Sequence, residues 1–370
     1  DPPDSSGAPT GGPPAPGVCG DGVVHDGEAC DDGNDVPDDG CDAICAKTAA
    51  LEWSYAPIDV PFANDLTVGP EGRIVVVGDG IVIALEPDGS EVWRKTMPVE
   101  SHAFNSVEID EQGTIYVAGE VGTMHALAPN GDELWNLAME TGFQAIALGH
   151  GALYSVDLDA PSDRLIVRRH DRSTGAVQWA TQSPEGISTY PYGMAVVGPN
   201  IIVAGMALIG LGSPTQPLLA VYDDSGVEQS FTLGADEGRR WTAVTAADDG
   251  FVLAGFGPEA DIVLSRLDAG LVPQWTVYDE GAFGTQANSV ASGAGGDLVI
   301  AAHDLAERAG LVRRFDAAGA TVWTAVFPED GGHTQYPNTA AFGPDFIVVL
   351  GNAWSGGGPH GMWVRRFALN

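Results

Sequence analysis

The chain has 370 residues, 44% of them hydrophobic, and a formal net charge of -35 from 51 acidic and 16 basic residues. So acidic a surface repels phosphate backbones, which excludes nucleic acid as the expected partner, while it attracts cations and tolerates salt. No apolar run approaches the roughly 20 residues that a membrane helix needs, so no transmembrane segment is expected.

Residues 1–17 are dominated by Pro, Gly, Ser, Ala and Asp. Such a segment cannot build a core and reads as a disordered tether. Asp1 in place of Met fits a leader already removed.

Residues 18–46 contain all four cysteines: Cys19, Cys30, Cys41 and Cys45. An even number in a short, loop-rich window predicts a two-disulfide module in an oxidising compartment, with three pairings open. The module is crowded with carboxylates, which repel one another unless a cation neutralises them. Oxygen ligands with Gly at sharp turns suit Ca²⁺. The candidate ligands are Asp21, Glu28, Asp31, Asp32, Asn34 and Asp39. The competing reading is a disulfide-held spacer with an acidic skin.

From Leu51 to Asn370 a unit of roughly 40 residues recurs, the length scale of propeller blades. Each unit closes on an outer strand led by an aromatic: Trp93, Trp135, Trp179, Phe231, Trp275 and Trp323. Short runs rich in β-branched residues, such as Ile74-Val75-Val76-Val77 and Phe346-Ile347-Val348-Val349, mark the second strand of each unit. Turns such as Pro87-Asp88-Gly89 and Pro129-Asn130-Gly131 punctuate the pattern. The seventh unit stops after Met362-Trp363-Val364-Arg365-Arg366-Phe367 and lacks its outer strand. A matching segment, Leu51-Glu52-Trp53-Ser54-Tyr55, lies before the first complete unit. The expected fold is therefore all-β, a seven-bladed β-propeller closed by an N-terminal strand and preceded by a small disulfide-rich module.

Loops on one propeller face lengthen from the third blade: 157–164, 206–217, 256–261, 303–309 and 352–361. Function concentrates on such loops. At the start of the innermost strands the aligned positions are Asn64, Asn105, Gln144, Tyr192, Trp241, Asn288 and Asn338. A ring of amides and aromatics at the channel mouth has two readings. Each amide can bond to the neighbouring blade's backbone, or the ring can offer a shallow site to a polar ligand. His102, His333 and Trp354 are assigned to the same face as candidate ligand-binding residues. No nucleophile elbow, phosphate-binding loop, zinc-protease helix or dinucleotide fingerprint is present, and no catalytic residue is assigned.

The run Cys19-Gly20-Asp21-Gly22, Gly27-Glu28-Ala29-Cys30-Asp31-Asp32-Gly33-Asn34, Asp39-Gly40-Cys41 and Cys45 resembles the Cys-rich Asp-Gly repeat of myxobacterial surface proteins, in a single copy. That resemblance implies an extracellular or cell-surface location. Units such as Ala84-Leu85-Glu86-Pro87-Asp88-Gly89-Ser90-Glu91-Val92-Trp93 resemble the quinoprotein-type propeller repeat. Quinone enzymes of that type have eight blades and a recognisable cofactor pocket. Seven blades and a cysteine-free ring imply no quinone cofactor here.

The sequence thus reads as a secreted or surface-tethered, non-enzymatic protein that recognises a saccharide or an extracellular protein through its rim. Its rivals are an extracellular lyase or hydrolase and a structural or assembly protein.

Overall fold

The computed structural model describes residues 19–25, 28, 30–31, 33, 40–41, 45, 47–97, 103–119, 121–159, 162–210, 212–235, 238–257, 262–279, 285–304, 308–355 and 358–369. The chain divides into two compact units, Asp1–Ala50 and Leu51–Leu369. In the first, Cys19 pairs with Cys45 and Cys30 with Cys41, the nested one of the three arrangements open to four cysteines. The cross-links do the work that a hydrophobic core of this size cannot do.

The second unit is a seven-bladed β-propeller of seven four-stranded antiparallel sheets. Six blades are continuous in the chain. The seventh runs Leu51–Tyr55, Gly358–Ala368, Phe346–Ser355, Thr334–Phe342 from its outer to its inner edge. Tyr55 lies opposite Val364, Ser54 opposite Arg365 and Trp53 opposite Arg366. This pairing satisfies an edge that would otherwise be open. Glu52 adds an ion pair to Arg366 at 2.5 Å.

The second strand of each blade is sandwiched between neighbours, which is why its side chains are apolar on both faces. Ile74–Gly78 is buried at every position. The core is accordingly a series of wedges between blades. One of them joins Val75, Val77 and Val82 of blade one to Phe104, Val107 and Val117 of blade two.

The aromatic repeat is an interblade clamp. The indole N–H of Trp53, Trp93, Trp135, Trp179 and Trp275 donates to a turn carbonyl of the next blade, at Pro87, Pro129, Arg172, Asp224 and Ala317. The ring lies flat on that turn's glycine. A Cβ at Gly89 would stand 2.9 Å from the Trp53 ring, and its φ of 85° is left-handed besides. Phe231 has no N–H to give. Trp323 has one, buried and without an acceptor among the described residues. Blade seven takes its outer strand from the N-terminal side of the ring, so no third-to-fourth-strand turn waits beneath Trp323. The indole packs on Phe367 instead, with ring centroids 6.1 Å apart.

Part of the length assigned to loops proves to be strand. In blade seven the hairpin continues through Ala353 opposite Gly361, Trp354 opposite Pro359 and Ser355 opposite Gly358. In blade three, Asp159 pairs with Arg164. Pairing these flanks satisfies backbone groups that a loop would leave to solvent. It also carries Trp354 out on a hairpin arm rather than a loop.

Candidate functional site

Each of the seven innermost strands carries a register shift near its start, leaving one residue out of the ladder: Asn64, Asn105, Gln144, Tyr192, Thr242, Asn288 and Asn338. All seven line the central channel, a cavity of about 360 Å³. In blade five the position belongs to Thr242, not Trp241. Trp241 stays in the ladder opposite Gly255 and packs in the wedge between blades four and five.

The bulged side chains form a belt. Asn64 donates to Phe104 O at 2.8 Å, Asn105 to Phe143 O at 3.3 Å, Asn288 to Pro337 O at 2.8 Å and Asn338 to Ala63 O at 3.0 Å. Thr242 does the same with its hydroxyl, to Ala287 O at 2.7 Å. In every case the acceptor belongs to the next blade. One residue further along, a second belt runs with the donors reversed. Asp65 accepts from Val107 N, Ser106 from Ile146 N and Ser289 from Ala340 N. The channel wall is therefore stitched from blade to blade, and one amide N–H of each of the four asparagines is spent on that stitching.

Two carboxyls stand in this wall. Burial pushes Asp65 up to about 7, against its bonds to Val107 N and Leu66 N. Burial, aided by the charge of Asp65, pushes Glu108 up to about 8.

The larger cavity lies off-axis, on the rim between blades six, seven and one. It is a cleft of about 760 Å³ lined by Phe62, Asn288, His303, Arg308, Gly332, Thr334, Tyr336, Asn338, Trp354 and Ser355. That volume suits a small-molecule site, for which about 300–1,000 Å³ is usual. Phe62 meets Trp354 edge-on, centroids 5.9 Å apart, and Tyr336 meets His303 at 5.3 Å. Asn288 uses its second amide hydrogen on His303 Nδ1, at 3.0 Å. With Nδ1 accepting, neutral His303 carries its proton on Nε2, a donor. Burial lowers the pKa of His303, outweighing the nearby Asp304.

Of the residues expected on this face, Trp354, Asn288 and Asn338 meet in the cleft. His333 sits at its border, its ring 4.4 Å from that of His360, which in turn bonds Ser355 Oγ. His102 lies outside the described residues. Asn64, Asn105, Gln144 and Tyr192 line the channel instead. Phe62, His303, Arg308 and Tyr336 were not singled out from sequence. Their one common signal is that they flank inner-strand starts or second-to-third-strand connections of adjoining blades.

In the Cys-rich unit, Asp31 accepts four backbone N–H groups, from Gly20, Asp21, Gly22 and Gly33. Desolvation raises its pKa, but these four bonds outweigh it and hold the carboxyl below its ordinary value. Asp21 accepts from Val23 N and meets His25 Nε2, and Glu28 accepts from His25 N. Asp32, Asn34 and Asp39 lie outside the described residues.

A family model described as outer membrane protein assembly factor BamB matches residues 78–213. None of the curated proteins matches the chain. Among solved structures, the WD40 repeats of RRP9 superpose with a TM-score of 0.64 at 13% identity, over 87% of this chain and 99% of that one. A chain of the mitotic checkpoint complex gives 0.62 at 14% identity, over 86% and 91%. BamB from Moraxella catarrhalis gives 0.52 at 14% identity, over 87% and 100%. At such identities the likeness is one of fold. The shared fold is the β-propeller, and the family match extends over residues 78–213 of the ring.

Proposed function

We propose that the protein is a non-enzymatic binding propeller, secreted or held at the cell surface, whose rim cleft takes a saccharide. The observation that carries this reading is the composition of the cleft. Three aromatic rings, Phe62, Tyr336 and Trp354, border it together with the polar groups of His303, Thr334 and Ser355. Aromatic faces suit the apolar face of a pyranose, and fixed donors and acceptors suit its hydroxyls. Among the described residues no carboxylate lines the cleft. Hydrolysis by a carboxylate pair therefore has no support there.

Two disulfides support an oxidising compartment. Calcium binding by the Cys-rich unit belongs to the same reading, supported by its density of carboxylates. The cation would be met by carboxylates other than Asp31, whose oxygens already serve four N–H groups. A second reading, a propeller that docks another protein during assembly, draws on the match of residues 78–213 to an assembly factor. A glycan array probed with the full chain, with and without calcium, tests the first reading. Reproducible binding to a family of sugars is the expected result. A blank array together with a cross-linked protein partner would favour the second.

A further inference from the structure

Two of the 16 basic residues are lysines, Lys47 and Lys95, which leaves fourteen arginines against 51 carboxylates. Thirteen of them are occupied by the protein itself. Most face carboxylates, as Arg94 faces Asp59 and Glu91, or Arg314 faces Asp297. Others stack on rings, as Arg240 does on Phe256 and Arg365 on Trp363. Arg308 alone has no partner among the described residues, and it lines the rim cleft. Its backbone is left-handed, φ 53°, a conformation uncommon for a residue with a side chain. In a protein of net charge -35, an arginine with no carboxylate partner among the described residues is the exception to be explained.

We propose that the cleft ligand is an acidic saccharide, a sugar bearing a carboxylate that Arg308 receives; this rests on the saccharide reading above. The overall field repels anions, so a site for one needs a local cation and no carboxylate in its wall. Among the described residues the cleft meets both conditions. A guanidinium fork matches the two oxygens of a planar carboxylate. The ring of the sugar then lies against Trp354 and Tyr336. The N–H of His303 Nε2 adds a neutral donor on the same wall.

The test is calorimetric titration of the full chain with trigalacturonate, with its carboxyl-reduced neutral counterpart, and with a sulfated trisaccharide, for wild type, Arg308→Gln and Trp354→Ala. The expected result is a wild-type preference for trigalacturonate over the neutral sugar of roughly tenfold or more. Arg308→Gln erases that preference and keeps the neutral affinity, while Trp354→Ala weakens both. Equal binding of charged and neutral sugars, unchanged in Arg308→Gln, overturns the carboxylate inference and leaves the saccharide reading standing. A preference for the sulfated sugar also overturns it. No binding of any sugar overturns both. Because Arg308 is exposed, its variant should melt with wild type, which a thermal scan checks.

Discussion

Asn352 holds Ala63 by both ends of one amide: its Oδ1 accepts from Ala63 N at 3.0 Å and its Nδ2 donates to Ala63 O at 2.8 Å. Asn352 is on the second strand of blade seven, Ala63 opens the innermost strand of blade one, and both are fully buried. A side chain thus pairs with backbone across the seam where the ring closes. Replacing it with an isosteric apolar group, Asn352→Leu, strands the Ala63 N–H in the interior. The expected cost is about 2–4 kcal/mol in urea unfolding. A cost below about 0.5 kcal/mol would mean that the seam does not depend on this contact.

The outer side of the same blade depends on Leu51–Tyr55. A chain beginning at Leu51 is expected to give a folded, monodisperse ring. A chain beginning after Tyr55 loses the outer strand, the Glu52–Arg366 ion pair and the Trp53 clamp together. It should melt early or aggregate through the bared edge of Gly358–Ala368. Circular dichroism melts of the two truncations separate the cases; equal melting temperatures would refute the closure.

Acid should weaken the fold at His170. The ring is fully buried, with Nδ1 bonded to Gly175 O and Nε2 to Ser155 Oγ, and burial lowers its pKa to about 4. The unfolded chain titrates this group near 6.5, so between the two values the unfolded state binds the extra proton. Stability present above about pH 6.5 is lost as the pH falls toward 4. His170→Gln should flatten that slope by up to about 3 kcal/mol, read by denaturant titrations at pH 4.5 and 7.5.

The channel carboxyls act with the opposite sign. Asp65 and Glu108 titrate at about 7 and about 8 in the folded protein, above their ordinary range. The folded state therefore holds protons that the unfolded state has released, and stability declines as the pH rises from about 4 through 8. Glu108→Gln removes the repulsion with Asp65 and should stabilise the protein by about 1 kcal/mol at pH 8.5 while changing little at pH 4. A variant equally stabilised at both pH values would contradict the assignment.

In the Cys-rich unit, Asp31→Asn should lower the thermal midpoint whether calcium or chelator is present, because the loss is of charge-assisted bonds to backbone. Calcium at millimolar concentration should raise the midpoint of the chelator-treated wild type. An Asp31→Asn effect that appears only with calcium would make Asp31 a ligand instead.

The ring and its closure were legible because they are written in local, repeated chemistry: an aromatic four or five residues past a turn glycine, and a strand that lacks its partner. The amide ring was legible as a set, yet its register slipped by one at Trp241. Only the bulge, a property of backbone pairing, distinguishes Thr242 from its aromatic neighbour. The partners of the amides were not legible, since Asn64 and Phe104 belong to different blades and only their carbonyl geometry decides the bond. The cleft was legible least. Phe62 and Trp354 touch because closure brings the first and last blades together, and no periodicity encodes that contact. Arg308 becomes informative only when the partners of the other thirteen arginines are known.

The rim cleft as a sugar site is tested most directly by comparing wild type with a Trp354→Ala, Tyr336→Ala double variant on one glycan array. Both side chains border the cleft, on strands Phe346–Ser355 and Thr334–Phe342, and neither is fully buried. The double variant should stay folded and lose roughly tenfold or more of the wild-type signal on every bound glycan. Undiminished binding by a folded double variant would place recognition elsewhere on the ring and contradict the account.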